Sequence, residues 1–368
     1  MRRSQRWLKE RVLVIGMSLA EQIIAETESR WGGRYIVVGI VDDLPVAPTR
    51  PIRSPILGPM SRLAEIVEEV HPDRVLVALG ERRRRTPVRA LVESCVARGI
   101  VVEDAAEFCE RLTGRLPIET LAPTSLVFAG RFGPTRAQQS LSRVVSLAVA
   151  SLGLALLWPL MALIALVVKL ESSGPVLFVQ ERIGMHGRPF KLLKFRTMRP
   201  VSQCRSEWEC DNRDRVTRLG RWLRAFRLDE LPQFINVLRG EMNLVGPRPH
   251  PTSNFELFTL VSRNLNDLTG APVPYYTLRT MVRPGITGWA QVRYRYANNL
   301  EEEIEKLKYD LYYVKYASPL LDVGIIFKTI RVMLCGHLEG RRAEPEPASK
   351  PLPVAAVLAT TVNHTHAA

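Results

Sequence analysis

The sequence predicts an α/β domain built on a doubly wound parallel sheet, followed by a mostly α-helical domain associated with a membrane. Three observations carry that prediction. Over roughly the first hundred residues, short apolar runs alternate with amphipathic stretches, as strands joined by crossover helices do. Residues 144–168 then run for 25 positions without a charged side chain, where about 20 suffice for a helix to cross a bilayer. The remainder reads as helices punctuated by Pro and Gly.

In the first unit, residues 11–16 (RVLVIG) read as a buried strand, 18–28 as a helix, 35–41 (YIVVGIV) as a second strand, 60–70 as a helix and 73–79 (DRVLVAL) as a third strand. A helix near 87–98 and a strand at 100–103 complete it. Its first turn, GMSLAE, contains Gly16 but lacks the second and third glycines of a dinucleotide fingerprint. A structural or regulatory domain is the reading this favours, with a nucleotide pocket using Asp42 or Asp43 near a ribose as the alternative. Arg82 to Arg85 read as a solvated loop rather than a phosphate clamp. Residues 104–143 are rich in turns and Arg and connect the two units.

The chain has 368 residues, 46% hydrophobic and 24% charged, which excludes wholesale disorder and leaves room for two folded units. Its net charge of +14 asks for a polyanionic partner. No basic and aromatic residues interleave around a nucleic-acid module, so an anionic membrane face and phosphorylated substrates are preferred to nucleic acid. Five cysteines without a CxxC pair argue for a reducing compartment. The basic start MRRSQRWLKERVLVIG holds an apolar run of about five residues, shorter than the roughly seven to fifteen of a secretion signal.

Pro159 interrupts the uncharged run near its middle, where it removes a backbone hydrogen bond and kinks a helix. Both flanks are basic: Arg131, Arg136 and Arg143 before it, Lys169, Arg182, Arg188 and Lys191 after it. Two basic flanks point to a segment that enters the bilayer, breaks at Trp158-Pro159 and returns to the same side; an ordinary kinked span is the alternative. Beyond it, residues 170–198 read as turn, strand, turn, strand, and 211–240 as helical. Residues 301–335 are helical with an interruption at Ser318-Pro319, and their later part suits either a core or the membrane interface. From about Glu339 the chain is Pro- and Ala-rich without periodicity.

Chemistry concentrates in RLDELPQFINVLRGEMNLVGPRP, residues 227–249. Pro232 is tolerated only in the first turn of a helix, so a helix starting there and closed by Gly240 puts Asp229 and Glu230 at its positive end. Ionised carboxylates are favoured there; an Asp can attack phosphorus and a Glu can hold Mg²⁺ or manage protons. Taken alone, Asp-Glu at a helix start is ordinary capping. Lys194 and Arg196 in FKLLKFRTM share a face if that segment is a strand. Arg224 lies one or two helical turns before the acidic pair, Arg248 sits between prolines in GPRPH, and Arg283 belongs to VRPGITGWAQV. Such cations suit a diphosphate. His186, Cys204, Cys210 and His250 match no zinc template.

The ordered series LWPLMALIALVVKLESSGPVLFVQERIG, FKLLKFRTM, RLDELPQFINVLRGEMNLVGPRP and VRPGITGWAQV, over residues 140–335, resembles the bacterial sugar transferase family of monotopic phosphoglycosyl transferases. The resemblance implies a polyprenyl-phosphate sugar-1-phosphate transferase at the cytosolic face of the inner membrane, initiating polysaccharide assembly. It implies a nucleotide diphosphate sugar, expected as a UDP-sugar, undecaprenyl phosphate and membrane lipid as partners, Mg²⁺ as cofactor, and a second copy of the chain as a homodimer. Asp229 then matches the nucleophile that forms an aspartyl-phosphosugar, Glu230 the metal ligand and base, and Lys194, Arg224 and Arg248 phosphate-contacting cations. Where the family has Ser-Pro in its membrane helix, this chain has Trp158-Pro159. The first residues resemble the Rossmann-like domain of longer members, which carry transmembrane helices ahead of it that are not seen here. The expected organisation is a Rossmann-like regulatory domain at 1–125, a linker at 126–143, a membrane helix at 144–170, a catalytic domain at 171–337 and a disordered tail at 338–368. A catalytically inactive, nucleotide-sensing membrane scaffold is the competing class, and the intact DELPQ, GPRP and RPGITGW set argues against it.

Overall fold

A computed structural model describes residues 9–17, 20, 23–24, 34–43, 54–78, 88–118, 132–199, 215–253, 255, 275–294 and 300–339. The first domain is a five-stranded, all-parallel sheet in the order β3-β2-β1-β4-β5, from β1 (Glu10–Ile15), β2 (Tyr35–Val41), β3 (Ile56–Gly58), β4 (Arg74–Val77) and β5 (Val101–Asp104). Strand β1 is central because both its faces are apolar. Val12 and Val14 feed a core with Ile40, Leu76 and Phe108, while Leu13 and Ile15 feed another with Val41, Val75 and Leu63. Helices α1 (Leu63–Val70) and α2 (Val88–Ser94) cover the second face. The three-residue β3 is too short to leave a periodic signal and was not expected. Most of the helix expected at 18–28, and all of Arg82 to Arg85, lie outside the described residues.

The turn-rich segment expected at 104–143 instead opens with helix α3 (Ala105–Thr113), whose polar sequence hides its one apolar stripe. Asp104 caps it, accepting from the N–H groups of Ala106 and Glu107. Through α3 and the residues just after it, the sheet domain is tied to the second domain. Buried Glu110 accepts from Lys315 Nζ (2.6 Å) and Tyr316 Oη (2.7 Å), Trp289 Nε1 donates to the Gly114 carbonyl (2.6 Å), and Leu116 N–H donates to the Lys308 carbonyl.

Helix α4 spans Arg136–Glu171 and starts with a reciprocal capping box between Thr135 and Gln138. It therefore begins well inside the stretch expected as linker, and Pro159 lies within it. Its 36 residues would extend about 54 Å if straight, against a hydrocarbon layer of about 30 Å. Only 11% of its most apolar window is buried, so it is not a core helix. Two stretches of it, on either side of Pro159, are seated on the same domain. Ala150 packs with Phe190, Val237 and Met242, while Ile164 and Val168 pack with Phe195 and Leu223. Leu152, Leu156, Trp158 and Leu163 between them are exposed.

The second domain continues with an antiparallel hairpin, β6 (Leu177–Ile183) and β7 (Pro189–Phe195), as the sequence pattern predicts. The expected helical stretch 211–240 is two helices, α5 (Arg218–Ala225) and α6 (Gln233–Arg239), separated because Arg227 adopts a left-handed conformation, φ 53°. Strand β8 (Asn243–Val245) pairs in parallel with β9 (Gly285–Thr287), followed by α7 (Trp289–Arg293), α8 (Leu300–Tyr316) and α9 (Pro319–Glu339). The break between α8 and α9 falls at the expected Ser318-Pro319. The strand β8–β9 crossing is very close: a Cβ on Gly246 would lie 2.3 Å from the Arg283 carbonyl oxygen, and one on Gly285 2.1 Å from the Gly246 nitrogen.

Candidate active site

The acidic pair sits where the sequence predicts. Pro232 precedes α6 and Gly240 closes it, while Asp229 and Glu230 occupy a 3₁₀ turn, Leu228–Glu230, just ahead of the helix. Their exposures of 9% and 8% are low for carboxylates, which are rarely buried without partners. Asn236, fully buried on α6, explains how they face β7. Its amide accepts from Leu193 N–H (3.0 Å) and donates to the carbonyl of Lys191 (2.7 Å) and to Glu241. That fixes α6 against the strand at the position of Lys194. From the other side, Gly220 lets α5 approach the end of β7, since a Cβ there would lie 2.1 Å from the Thr197 carbonyl. Arg224 can then donate from Nε to Thr197 Oγ1 at 3.0 Å.

Arg248 Nη2 donates to Glu230 Oε1 at 2.9 Å. Burial works against ionising Glu230, but Arg248, Arg227 and Lys194 outweigh it and hold its carboxyl below the usual range. Asp229 goes the other way. Burial and the neighbouring Glu230 charge raise its pKa, with Lys194, Arg248 and Arg224 opposing. Burial, with Arg182 and Arg248, pushes the Lys194 ammonium down to about 8. Two adjacent carboxyls thus differ in acidity, the separation that distinguishes groups with different chemical roles.

Of the residues the sequence singles out, Asp229, Glu230, Lys194, Arg224 and Arg248 come together. Arg196 and Arg283 stand elsewhere. Strand β7 ends at Phe195, and Arg196 turns toward the end of α4, donating from Nη2 to the Ser172 carbonyl (2.7 Å) and Oγ (2.9 Å). Arg283 donates from Nε to the Gly240 carbonyl (3.1 Å), at the C-terminus of α6. Arg143 joins it there, donating to the carbonyls of Val237 and Met242. Both cations therefore meet the negative end of the helix whose other end carries the acidic turn. Trp158 and Pro159 are exposed on α4, which runs as one continuous helix from Arg136 to Glu171 rather than breaking there as expected. Arg182, read in the sequence only as a basic flank of the apolar run, and Arg227 and Asn236 are not among the site residues the sequence singles out. A polar Asn among the apolar Phe234, Ile235 and Val237 was the available signal for the last. Cys204 and Cys210 lie outside the described residues, as does all but the start of the expected tail. In the sheet domain, Asp42 accepts from Met17 N–H (3.0 Å) and Asp43 from Met60 N–H (2.6 Å).

The pair also fits a divalent cation. Glu230 Oε2 is buried without a hydrogen-bond partner, beside the Asp229 carboxyl. No cluster of three or more His, Cys, Asp or Glu suited to a metal occurs among the described residues. A site with one or two carboxylates suits Mg²⁺, which takes its other ligands from water and substrate phosphates.

The profile of the family described as bacterial sugar transferase matches residues 137–336. Over 243 residues the chain is 40% identical to the UDP-N-acetylgalactosamine-undecaprenyl-phosphate N-acetylgalactosaminephosphotransferase of Aeromonas hydrophila, which covers 66% of this chain and 54% of that protein. It is 33% identical over 339 residues to the undecaprenyl-phosphate glucose phosphotransferase of Komagataeibacter xylinus, 89% of this chain and 59% of the other. It is 42% identical over 199 residues to the UDP-glucose:undecaprenyl-phosphate glucose-1-phosphate transferase of Caulobacter vibrioides, 52% and 69%. The chain spans about half the length of the first of these relatives.

Proposed function

The chain belongs to the bacterial sugar transferase family, and from that premise we propose that it transfers a phosphosugar from a UDP-sugar to undecaprenyl phosphate at the cytosolic face of the inner membrane. The observation that carries this reading is the buried Asp229-Glu230 turn with Lys194, Arg224 and Arg248 as its electrostatic neighbours. Cations of this kind neutralise a diphosphate and stabilise charge as phosphorus is transferred.

In the first step a carboxylate oxygen of Asp229 bonds to the sugar-bearing phosphorus, and the bond to the departing nucleoside monophosphate breaks. The leaving phosphate carries away the charge, which Lys194, Arg224 and Arg248 balance. An oxygen of the polyprenyl phosphate then attacks the same phosphorus, the aspartyl–phosphate bond breaks, and the Asp229 carboxylate is restored. Dividing the transfer in this way replaces one difficult step with two easier ones. Glu230, with Oε1 held by Arg248 and Oε2 open, is the ligand we assign to Mg²⁺. When bound, Mg²⁺ supplies charge neutralisation at the diphosphate.

The geometry of α4 supports the re-entrant reading of its membrane contact. It packs on one domain through Ala150 on one side of Pro159 and through Ile164 and Val168 on the other, and Leu152, Leu156, Trp158 and Leu163 between these points are exposed. The test is to incubate the full chain with a panel of UDP-sugars, undecaprenyl phosphate and Mg²⁺ and to measure UMP. Asp229→Asn should abolish release; undiminished UMP from that variant removes Asp229 from the role of nucleophile.

A further inference from the structure

Arg248 reaches Glu230 with its side chain, and its main chain is gripped from the opposite side. Arg279 donates from Nη2 both to the Arg248 carbonyl (2.9 Å) and to Asp310 Oδ2 (2.7 Å). Its Nη1 reaches the His250 ring and the Tyr276 hydroxyl. The side chains of Arg279 and Asp310 are 5% and 2% exposed. A buried ion pair is weak as a source of net stability, because desolvating two charges costs about as much as their attraction returns. Its value here is directional. A planar guanidinium held at one edge by a carboxylate presents its remaining donors in a fixed fork, and one of those donors ends on the backbone of the arginine that touches the acidic turn.

We propose that the Arg279–Asp310 pair is a positioning device for Arg248, fixing its main chain so that its guanidinium meets Glu230 in the arrangement that transfer requires. The inference rests on the proposed transferase reading for its kinetic arm only. Arg279 bonds the Arg248 carbonyl and Asp310 holds Arg279, so both act on the acidic turn through Arg248. Misplacing a charged group by about 1 Å can cost roughly a hundredfold in rate, so the loss need not come with unfolding.

The experiment uses the full chain in detergent or nanodiscs, with Arg279→Gln, Asp310→Asn, Arg248→Ala and the Arg279→Gln/Arg248→Ala double variant. Two quantities are measured: UMP release, and the ¹⁵N chemical shift of the Arg248 guanidinium, which reports its hydrogen bond to Glu230. Arg279→Gln and Asp310→Asn should lower kcat by about tenfold or more at a melting temperature that still shows a folded protein, with Arg279→Lys restoring part of it. The Arg248 guanidinium signal should move in both toward that of a solvated arginine. In the Arg248→Ala background, Arg279→Gln should add less than about a further twofold. Wild-type turnover and an unmoved Arg248 guanidinium signal in the single variants overturn the proposal, as does a full additive loss in the double variant. If Arg279→Gln does not fold, Asp310→Asn decides the question. Absence of UMP from the wild-type chain with every donor would count against the transferase reading, and the Arg248 guanidinium signal would still judge the positioning role.

Discussion

Adjacent Asp229 and Glu230 differ by one methylene in sequence terms and by much more in setting. Because burial and the Glu230 charge raise the acidity threshold of Asp229, nucleophilic activity should fail on the acid side at a pH above the usual aspartate range of about 3.9. It is present when Asp229 is ionised and lost as pH falls through its raised pKa. On the alkaline side Lys194 loses its proton at about 8 rather than at about 10.4, so the rate should decline as pH rises through 8. The pH dependence of UMP release should therefore be a bell, and Lys194→Arg should push its alkaline limb upward; an unchanged limb would assign that proton to another group. Arg248→Ala leaves Glu230 without its hydrogen-bonded cation, and kcat/KM for UMP release should drop by roughly 10²–10³-fold, the scale of removing one preorganised transition-state donor.

At the scale of elements, the site depends on how α6 is seated. Asn236→Ala strands the Leu193 N–H and the Lys191 carbonyl, a loss of about 1–3 kcal/mol that should lower the unfolding midpoint and the activity together. Gly246→Ala forces a methyl into the Arg283 carbonyl at the β8–β9 crossing, and about 1–3 kcal/mol of overpacking should appear in the same melting experiment. The sequence discloses these elements unevenly. Strands β1 and β2 are legible because Val12–Ile15 and Ile36–Val41 form charge-free apolar runs whose inner residues feed both faces of the sheet, and α6 because Pro232 and Gly240 bracket it. The helix α3 is hidden by its Glu and Arg residues, and the break before the acidic turn rests on one left-handed arginine, Arg227. Lys194, Arg224 and Arg248 are legible as a group through their motifs. Arg196 and Arg283 have the same local chemistry, and only the end of β7 and the course of α6 send them to backbone carbonyls instead.

Across the whole molecule, two attachments matter. Exposed Leu156 and Leu163 of α4 carry the proposed membrane contact; replacing both with Arg should cost about 3 kcal/mol each in hydrocarbon and shift the chain from the membrane to the soluble fraction on centrifugation. Glu110 and Gly114 join the sheet domain to α8 and α7, and the same α8 carries Asp310. Glu110→Gln should loosen that seam, read as faster hydrogen exchange in α3. The capping of α6 by Arg143 also has a meaning in the order of synthesis. Arg143 lies 99 residues ahead of the Met242 carbonyl it binds, and at about 5–20 residues per second it leaves the ribosome some seconds earlier. The seat therefore exists before its occupant: the capping arginine is in place while the acidic turn is still unmade, and on the proposed membrane reading α6 would be completed against a helix already lodged in lipid.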